Sequence, residues 1–325
     1  MAFSADQLLE KVNTYLATMP YVREPKGLYA PIEYVLSLGG KRIRPVLMLL
    51  SYQLYKENVD DILPQAAGIE TYHNYTLLHD DLMDRADMRR NKPTVHKVWD
   101  ENTAILSGDA MLVLAYRLMN NCPDSYLKQV MDIFSQTALE ICEGQQWDME
   151  FETRNDVTVP EYMEMIRLKT SVLLSAALKI GAVLGGASED DARKLYDFGI
   201  KMGLAFQLQD DYLDVYGDSK VFGKNIGGDI LCNKKTFMLI NALALADGIQ
   251  RKELEKWIAS TAFCPEEKIK AVTALYDKIG IGGICEEKIN AYYVEGLSLL
   301  ESIAVPSERK EELKSFVCHL MNRKV

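Results

Sequence analysis

The sequence predicts an all-α fold, a bundle of long helices forming one domain over residues 1–325. Three observations carry that expectation. Apolar residues recur at helical spacing, as in Val130, Ile133, Phe134, Ala138 and Ile141, and again in Ile289, Tyr292, Tyr293, Leu297 and Leu300. No convincing run of alternating strands is found. Helix starts are marked by residues able to cap backbone N–H groups.

Taken in order, Ser4 and Gln7 form a capping box at the head of an amphipathic first helix, which reads as structure and not as a signal peptide. Gly39 and Gly40 lead into Lys41-Arg-Ile-Arg44-Pro45, a loop entering a helix. A helix carrying His73 to Asp84 is expected to end near Arg85, and Arg85 to Pro93 reads as a loop. Thr158 and Glu161 make a second capping box with Pro160 in the first turn, and Ser188 precedes an acidic first turn of Glu189, Asp190 and Asp191. The apolar stretch from Val172 to Ala187 is broken by Lys179 and by glycines, so no membrane span is expected. Gly217 to Lys235 reads as a second loop, basic and glycine-rich. No repeat, low-complexity tract or linker divides the chain.

Composition bounds the function. The 325 residues are 48% hydrophobic and 26% charged, enough for a large core and too balanced for disorder. Thirty-seven Lys+Arg against 47 Asp+Glu leave a net charge of −10, which argues against non-specific binding to nucleic acid or an anionic membrane. The six cysteines form no CxxC pair for zinc or redox chemistry, and a reduced cytoplasmic setting is expected.

Two acidic clusters break a local rule. Asp80, Asp81 and Asp84 follow His73-Asn-Tyr75, and Asp210, Asp211 and Asp214 follow Gln207, both in DDxxD spacing. Acids four apart share a helix face and repel by roughly 0.2–0.5 kcal/mol, and acids at a helix C-terminus oppose its dipole. A repeated, locally unfavourable pattern of carboxylates suits Mg2+, which binds a few hard oxygens and completes its shell with water and substrate phosphate. Basic residues that would accompany such an anion are present: Lys41 and Arg44 at a helix start, Arg89 and Arg90 after the first cluster, Lys224, Lys234 and Lys235 after the second. A Walker A motif is absent, which excludes a P-loop kinase.

Read together, Gly39-Gly-Lys-Arg-Ile-Arg-Pro45, the first DDxxD, Arg89-Arg90, Gly144-Gln145 to Asp148, Lys169-Thr170, Gln207 with the second DDxxD, and Gly223-Lys224 to Lys234 resemble the trans-isoprenyl diphosphate synthases, or polyprenyl synthetases. The resemblance implies an all-α bundle around a central cavity, usually a homodimer. It implies joining of isopentenyl diphosphate to an allylic diphosphate (dimethylallyl, geranyl or farnesyl) with release of diphosphate. Carried over by position, Asp80 and Asp84 resemble the first magnesium pair and Asp210 the carboxylate for a third ion, with Asp81, Asp211 and Asp214 in support. Arg89, Lys169, Lys224 and Lys234 look like the cradle of the allylic diphosphate, and Lys41, Arg44, His73 and Arg90 like the isopentenyl diphosphate site. Thr170 and Gln207 stand where the family places oxygens beside the developing cation. Tyr75, five residues before Asp80, resembles the floor that limits a farnesyl or geranylgeranyl product. Its alternative is a packed core aromatic.

The rivals are a longer-chain synthase, a catalytically silent subunit or prenyl-lipid binder of the same fold, and a di-iron carboxylate bundle suggested by Glu70-x-x-His73. A silent subunit is expected to lack one acidic cluster, and both are intact. A di-iron bundle needs a second Glu-x-x-His step, which is missing. His79 and His96 are read as ordinary polar residues.

Overall fold

The computed structural model describes residues 3–21, 23–217 and 226–321. The described residues are helical apart from turns and two strands of two residues each. The chain falls into two compact units. One comprises Met1–Gln136, Ala176–Tyr196 and Ile303–Leu313, and the other Thr137–Ser175, Asp197–Ser302 and Lys314–Val325.

The first unit opens with α1 (Ala5–Thr18), whose capping box from Ser4 and Gln7 is complete in both directions. Helices α2 (Lys26–Ser37) and α3 (Ile43–Gln53) follow, and then α4 (Leu63–Met83). Helix α4 is an interior helix: Ala66, Ala67, Gly68, Ile69 and Tyr72 are buried in successive turns, and it packs on α1, on α3 and on α6 (Glu101–Met119). Gly68 permits the approach to α6, since a methyl group there would stand 3.1 Å from Leu118 Cβ. The polar groups that α4 takes inside find partners, as burial requires. Gln65 donates to the carbonyls of Leu118 and Asn121, and Thr71 to that of Ala67.

The end of α4 places the first acidic cluster. Asp84 is the C-cap, Arg85 follows with φ 52°, and the N–H groups of Arg85 and Ala86 return to the carbonyls of Leu82 and Asp81. That is a Schellman closure with arginine in the left-handed position where glycine is usual. Arg85 to Pro93, expected as a loop, is instead a short hairpin: β1 (Met88–Arg89) pairs antiparallel with β2 (Lys92–Pro93). Its two turn residues, Arg90 and Asn91, have φ of 51° and 61°, the positive pair that a type I′ turn needs to match strand twist. A short helix α5 (Val95–Val98) leads into α6, which Asp100 caps.

In the second unit the C-terminal half of α7 (Asp124–Thr153) precedes α8 (Val159–Ile166), whose Thr158/Glu161 capping box forms as expected. The next five residues, Arg167–Ser171, make a π-turn closed by the Val172 N–H on the Arg167 carbonyl, and α9 (Val172–Gly185) continues the helix. Helix α10 (Glu189–Tyr216) starts at Ser188, whose Oγ accepts the Asp191 N–H at 3.1 Å. The segment Gly217 to Lys235, expected as a loop, contains a one-turn helix α11 (Gly228–Leu231). Helices α12 (Phe237–Leu245), α13 (Gly248–Ala259), α14 (Pro265–Ile279), α15 (Ile281–Glu301) and α16 (Ser307–Met321) complete the chain. Apolar α12 packs on α8, α14 and α15, and Leu208, Phe237, Met238, Leu275 and Ile281 share this unit's core.

The helical run Val159–Gly185 has 27 residues and an 18-residue window of mean hydropathy 1.5, so by length and composition alone it does reach a membrane span. Continuity through the π-turn adds the apolar residues of α8, which the stretch beginning at Val172 omits. Eighty-three per cent of that window is buried inside the protein, as for a core helix.

Candidate active site

The sequence-predicted residues form two groups, described unit by unit. In the first unit, α4 carries His73, Tyr75, Asp80 and Asp81 and is capped by Asp84. The hairpin returns Arg89 to this helix end: its Nε stands 2.9 Å from both Asp81 oxygens, one η-nitrogen 2.6 Å from Asp81 Oδ1 and 3.8 Å from Asp80 Oδ2. Such a fork on a carboxylate is a strong, oriented pair. Burial works against the Arg89 charge, but Asp81, Asp80 and Asp84 outweigh it and raise its pKa. The three aspartates therefore differ. Asp81 is buried and taken up by Arg89, whereas Asp80 is half-buried and Asp84 exposed.

The start of α3 meets the same helix about two turns before Asp80. An Arg44 η-nitrogen lies 3.0 Å from His73 Nε2, and the Arg44 Nε is buried without a hydrogen-bond partner. Burial lowers the Arg44 pKa to about 10, with Glu70 opposing the shift. His73 is held well below its ordinary value of 6.5, first by burial and then by Arg44, Arg90, Arg89 and Arg42, so the ring is neutral. Arg90 reaches across from the hairpin turn and donates to the Gly39 carbonyl. Gly40 makes room for it, because a Cβ there would stand 2.6 Å from the guanidinium. Lys41 is exposed on the same loop.

Tyr75 is half-buried, edge-on to Tyr72 at 5.4 Å and to His79 at 4.9 Å, and packs against the unit's core of Tyr21, Ile32, Leu78 and Met111. His79 Nε2 is 3.1 Å from the Ile105 carbonyl, while both ring nitrogens of His96 are buried without partners.

In the second unit the π-turn presents Lys169 and Thr170. It is flanked by two glycines, Gly144 of α7 against the Leu168 and Lys169 backbone and Gly203 of α10 against Ser171. Lys169 Nζ pairs with Asp148 of α7 at 2.6 Å. The Thr170 hydroxyl donates to Gln207 Oε1 at 3.2 Å, and Gln207 Nε2 donates to Asp211 Oδ1 at 3.2 Å. Tyr162 closes this chain by donating to the other Asp211 oxygen. Asp211 is buried, and its pKa rises to about 7 because desolvation and Asp229 outweigh Tyr162, Lys234 and Gln207. Asp210 and Asp214 are half-buried on the same helix, and Asp214 Oδ2 accepts the Asp229 N–H at 2.9 Å. Burial of the Lys234 ammonium costs charge, but Asp229, Asp148 and Asp211 more than compensate and raise its pKa. Lys224 lies outside the described residues.

Sequence reasoning missed several partners. Arg42 sits inside the glycine-led motif and was overlooked between Lys41 and Arg44, although it pairs with Glu70 at 2.7 Å. The Glu70 that suggested a di-iron step is thus committed to an arginine. Tyr162 had no local signal at all, and Asp148 stood in a quoted motif with no role given. Among the described residues no group of three or more His, Cys, Asp or Glu side chains stands ready to hold a metal.

Comparison with known proteins follows the same residues. The polyprenyl synthetase family model matches residues 25–276. A short chain isoprenyl diphosphate synthase of Methanocaldococcus jannaschii is 41% identical over 273 residues, 84% of this chain and 83% of that one. A geranylgeranyl diphosphate synthase of Methanosarcina mazei is 46% identical over 224 residues, 68% and 69% of the two chains. A crystal structure of a geranylgeranyl pyrophosphate synthase superposes with TM-score 0.92 at 44% identity, covering 99% of this chain and 98% of the other. The chain belongs to the polyprenyl synthetase family.

Proposed function

We propose that the protein is a short-chain trans-prenyl diphosphate synthase that condenses isopentenyl diphosphate with an allylic diphosphate and releases diphosphate. The observation that carries this reading is the pair of acidic helix segments, each supplied with its own arginines or lysines: Asp80 to Asp84 with Arg89, and Asp210 to Asp214 with Lys169 and Lys234.

The donor set fits Mg2+. Asp80, Asp84 and Asp210 offer hard carboxylate oxygens on partly or fully accessible side chains. Asp81 and Asp211 are engaged by Arg89 and Tyr162 and serve in support, with Asp214. When bound, Mg2+ neutralises charge on the diphosphate leaving group.

The chain's own residues do the rest. Arg89, Lys169, Lys224 and Lys234 are the cations assigned to the allylic diphosphate, and positive charge there stabilises the negative charge that collects as the C–O bond breaks. The Thr170 hydroxyl donates a hydrogen bond to Gln207, which leaves its own lone pairs available to stabilise the developing cation. Lys41, Arg44 and Arg90, with neutral His73, take the second diphosphate. The isopentenyl double bond then attacks the allylic carbon, and a proton is lost to the released diphosphate to restore an alkene. Tyr75 limits the product to farnesyl or geranylgeranyl length, the latter being favoured by the names of the similar enzymes.

The test is product chromatography with isopentenyl diphosphate and each allylic starter, with and without a chelator, for wild type, Asp80→Ala and Asp210→Ala. Both variants are expected to fold and to lose more than nine tenths of turnover. Activity unaffected by the chelator, or kept above a tenth in either variant, overturns the assignment.

A further inference from the structure

Arg42 lies between the two cations, Lys41 and Arg44, given to isopentenyl diphosphate, but it is 5% exposed and out of a substrate's reach. Its backbone is left-handed, φ 47°, at the N-cap of α3. All three guanidinium nitrogens are bonded, each to a different helix. Nε donates to Asn13 Oδ1 of α1 at 3.2 Å, one η-nitrogen to Glu70 Oε1 of α4 at 2.7 Å, and the other to the Leu36 carbonyl of α2 at 2.7 Å. Glu70 is 2% exposed, and Asn74 one turn later donates to the same Oε1 at 3.0 Å.

We propose that the buried pair Arg42–Glu70 is a positioning element of the isopentenyl diphosphate pocket, fixing the glycine-led loop against α4 so that Arg44 and Arg90 are held ready for the anion.

Two observations support it beyond the pair itself. Alternate residues at the junction of the loop with α3 clip to α4 in two rungs, the N-cap Arg42 on Glu70 and Arg44 of the first turn on His73, so the first rung sets the register of the second. The Gly39 carbonyl that receives Arg90 belongs to the same loop, three residues before Arg42, and would shift with it. Electrostatics points the same way. Glu70 acts on Arg44 and on Arg90, easing the mutual repulsion of cations gathered for an anion that is not always bound. A buried ion pair is a weak source of stability, since apolar side chains of similar size often serve as well. Its value here is orientation, because displacement of a binding group by a fraction of an ångström is costly to function.

The inference rests on the prenyl-transfer reading, so wild-type turnover with both diphosphates is measured first, and its absence counts against that reading alone. Arg42→Lys, which keeps the charge but not the three-way fork, and the apolar pair Arg42→Met with Glu70→Leu are then compared by steady-state kinetics and thermal melting. Arg42→Lys is expected to raise KM for isopentenyl diphosphate at least threefold while KM for the allylic partner stays within twofold. The double variant is expected to melt close to wild type with the isopentenyl diphosphate KM still raised. A KM change below threefold in Arg42→Lys, equal rises for both substrates, or a double variant that regains stability and KM together overturns the proposal and leaves the pair a packing feature. Should the double variant not fold, Arg42→Lys decides by the same threshold.

Discussion

Gly144→Ala tests whether the π-turn holds Lys169 and Thr170 in working geometry. The glycine has an ordinary helical backbone, so the effect is steric. The nearest atom to an added Cβ would be the Lys169 backbone nitrogen, and the carbonyl carbon and Cβ of Leu168 would both stand at 2.8 Å; ordinary contact begins at 3.4 Å, so the two segments must part by at least 0.6 Å. Backbone occupies one side of this contact, and no side-chain rotation removes it. Binding and catalytic groups tolerate about 0.5 Å, and a displacement of ~1 Å costs on the order of 100-fold in rate. A fall in kcat of roughly tenfold is therefore expected, together with ~1–3 kcal/mol of overpacking strain. At about 1.5 °C per kcal/mol for 325 residues, the melting point should drop by ~2–4 °C. Gly203→Ala, which presses on Ser171 from α10 with a Cβ at 2.6 Å from its Cβ, should act alike. Gly27→Ala in open space is the control and should be neutral or slightly stabilising. The measurements are kcat with saturating substrates and the thermal midpoint. Gly144→Ala retaining more than half of wild-type kcat would refute the claim that close backbone approach sets the π-turn.

Two further outcomes follow from the first unit. Tyr75→Ala removes a ring that meets Tyr72 and His79 edge-on, and is expected to lengthen the products by at least one isoprene unit at unchanged magnesium dependence. If Tyr75 is only a core aromatic, the variant should lose ~3–5 kcal/mol of stability and make wild-type products, which chromatography beside melting curves distinguishes. His73 should stay neutral at pH 6, visible as ring NMR shifts that do not move there. Because its folded pKa lies below 6.5, the stability it contributes is complete above pH 6.5 and is lost as pH falls, by up to ~1.4 kcal/mol per pH unit. Wild type should therefore lose more stability than His73→Gln between pH 7 and pH 5, and equal slopes would contradict the assignment.

What the sequence discloses and what it withholds have physical causes. The Ser4/Gln7 and Thr158/Glu161 boxes are legible because both partners lie within one helical turn, so the bonds exist in any helix that starts there. The acidic clusters are legible because their spacing is locally unfavourable and occurs twice. Their inequality is not, since Asp81 is taken up by an arginine eight residues away on a hairpin and Asp211 by a tyrosine 49 residues away. The hairpin itself escaped because strands of two residues carry no alternation, and its turn is Arg90-Asn91 in place of the usual Asn-Gly. Arg167-Leu-Lys-Thr-Ser171 likewise reads as plain helix, and the glycines packed beside its π-turn lie more than twenty residues to either side. Arg42 and Glu70, 28 apart, look like ordinary surface charges until the fold buries them together.

Of the five non-glycine residues with positive φ among those described, three are arginines: Arg42, Arg85 and Arg90. Each occupies a conformation that glycine enters freely and that costs a residue with a Cβ on the order of 1–3 kcal/mol. At position 90, which is assigned to a diphosphate, heat resistance and substrate capture therefore pull in opposite directions. A library screened for survival at high temperature alone should accumulate glycine at 85 and 90, gaining melting temperature while discarding positive charge beside the first acidic cluster. Directed stabilisation of this chain is best confined to other positions, with 42, 85 and 90 held constant.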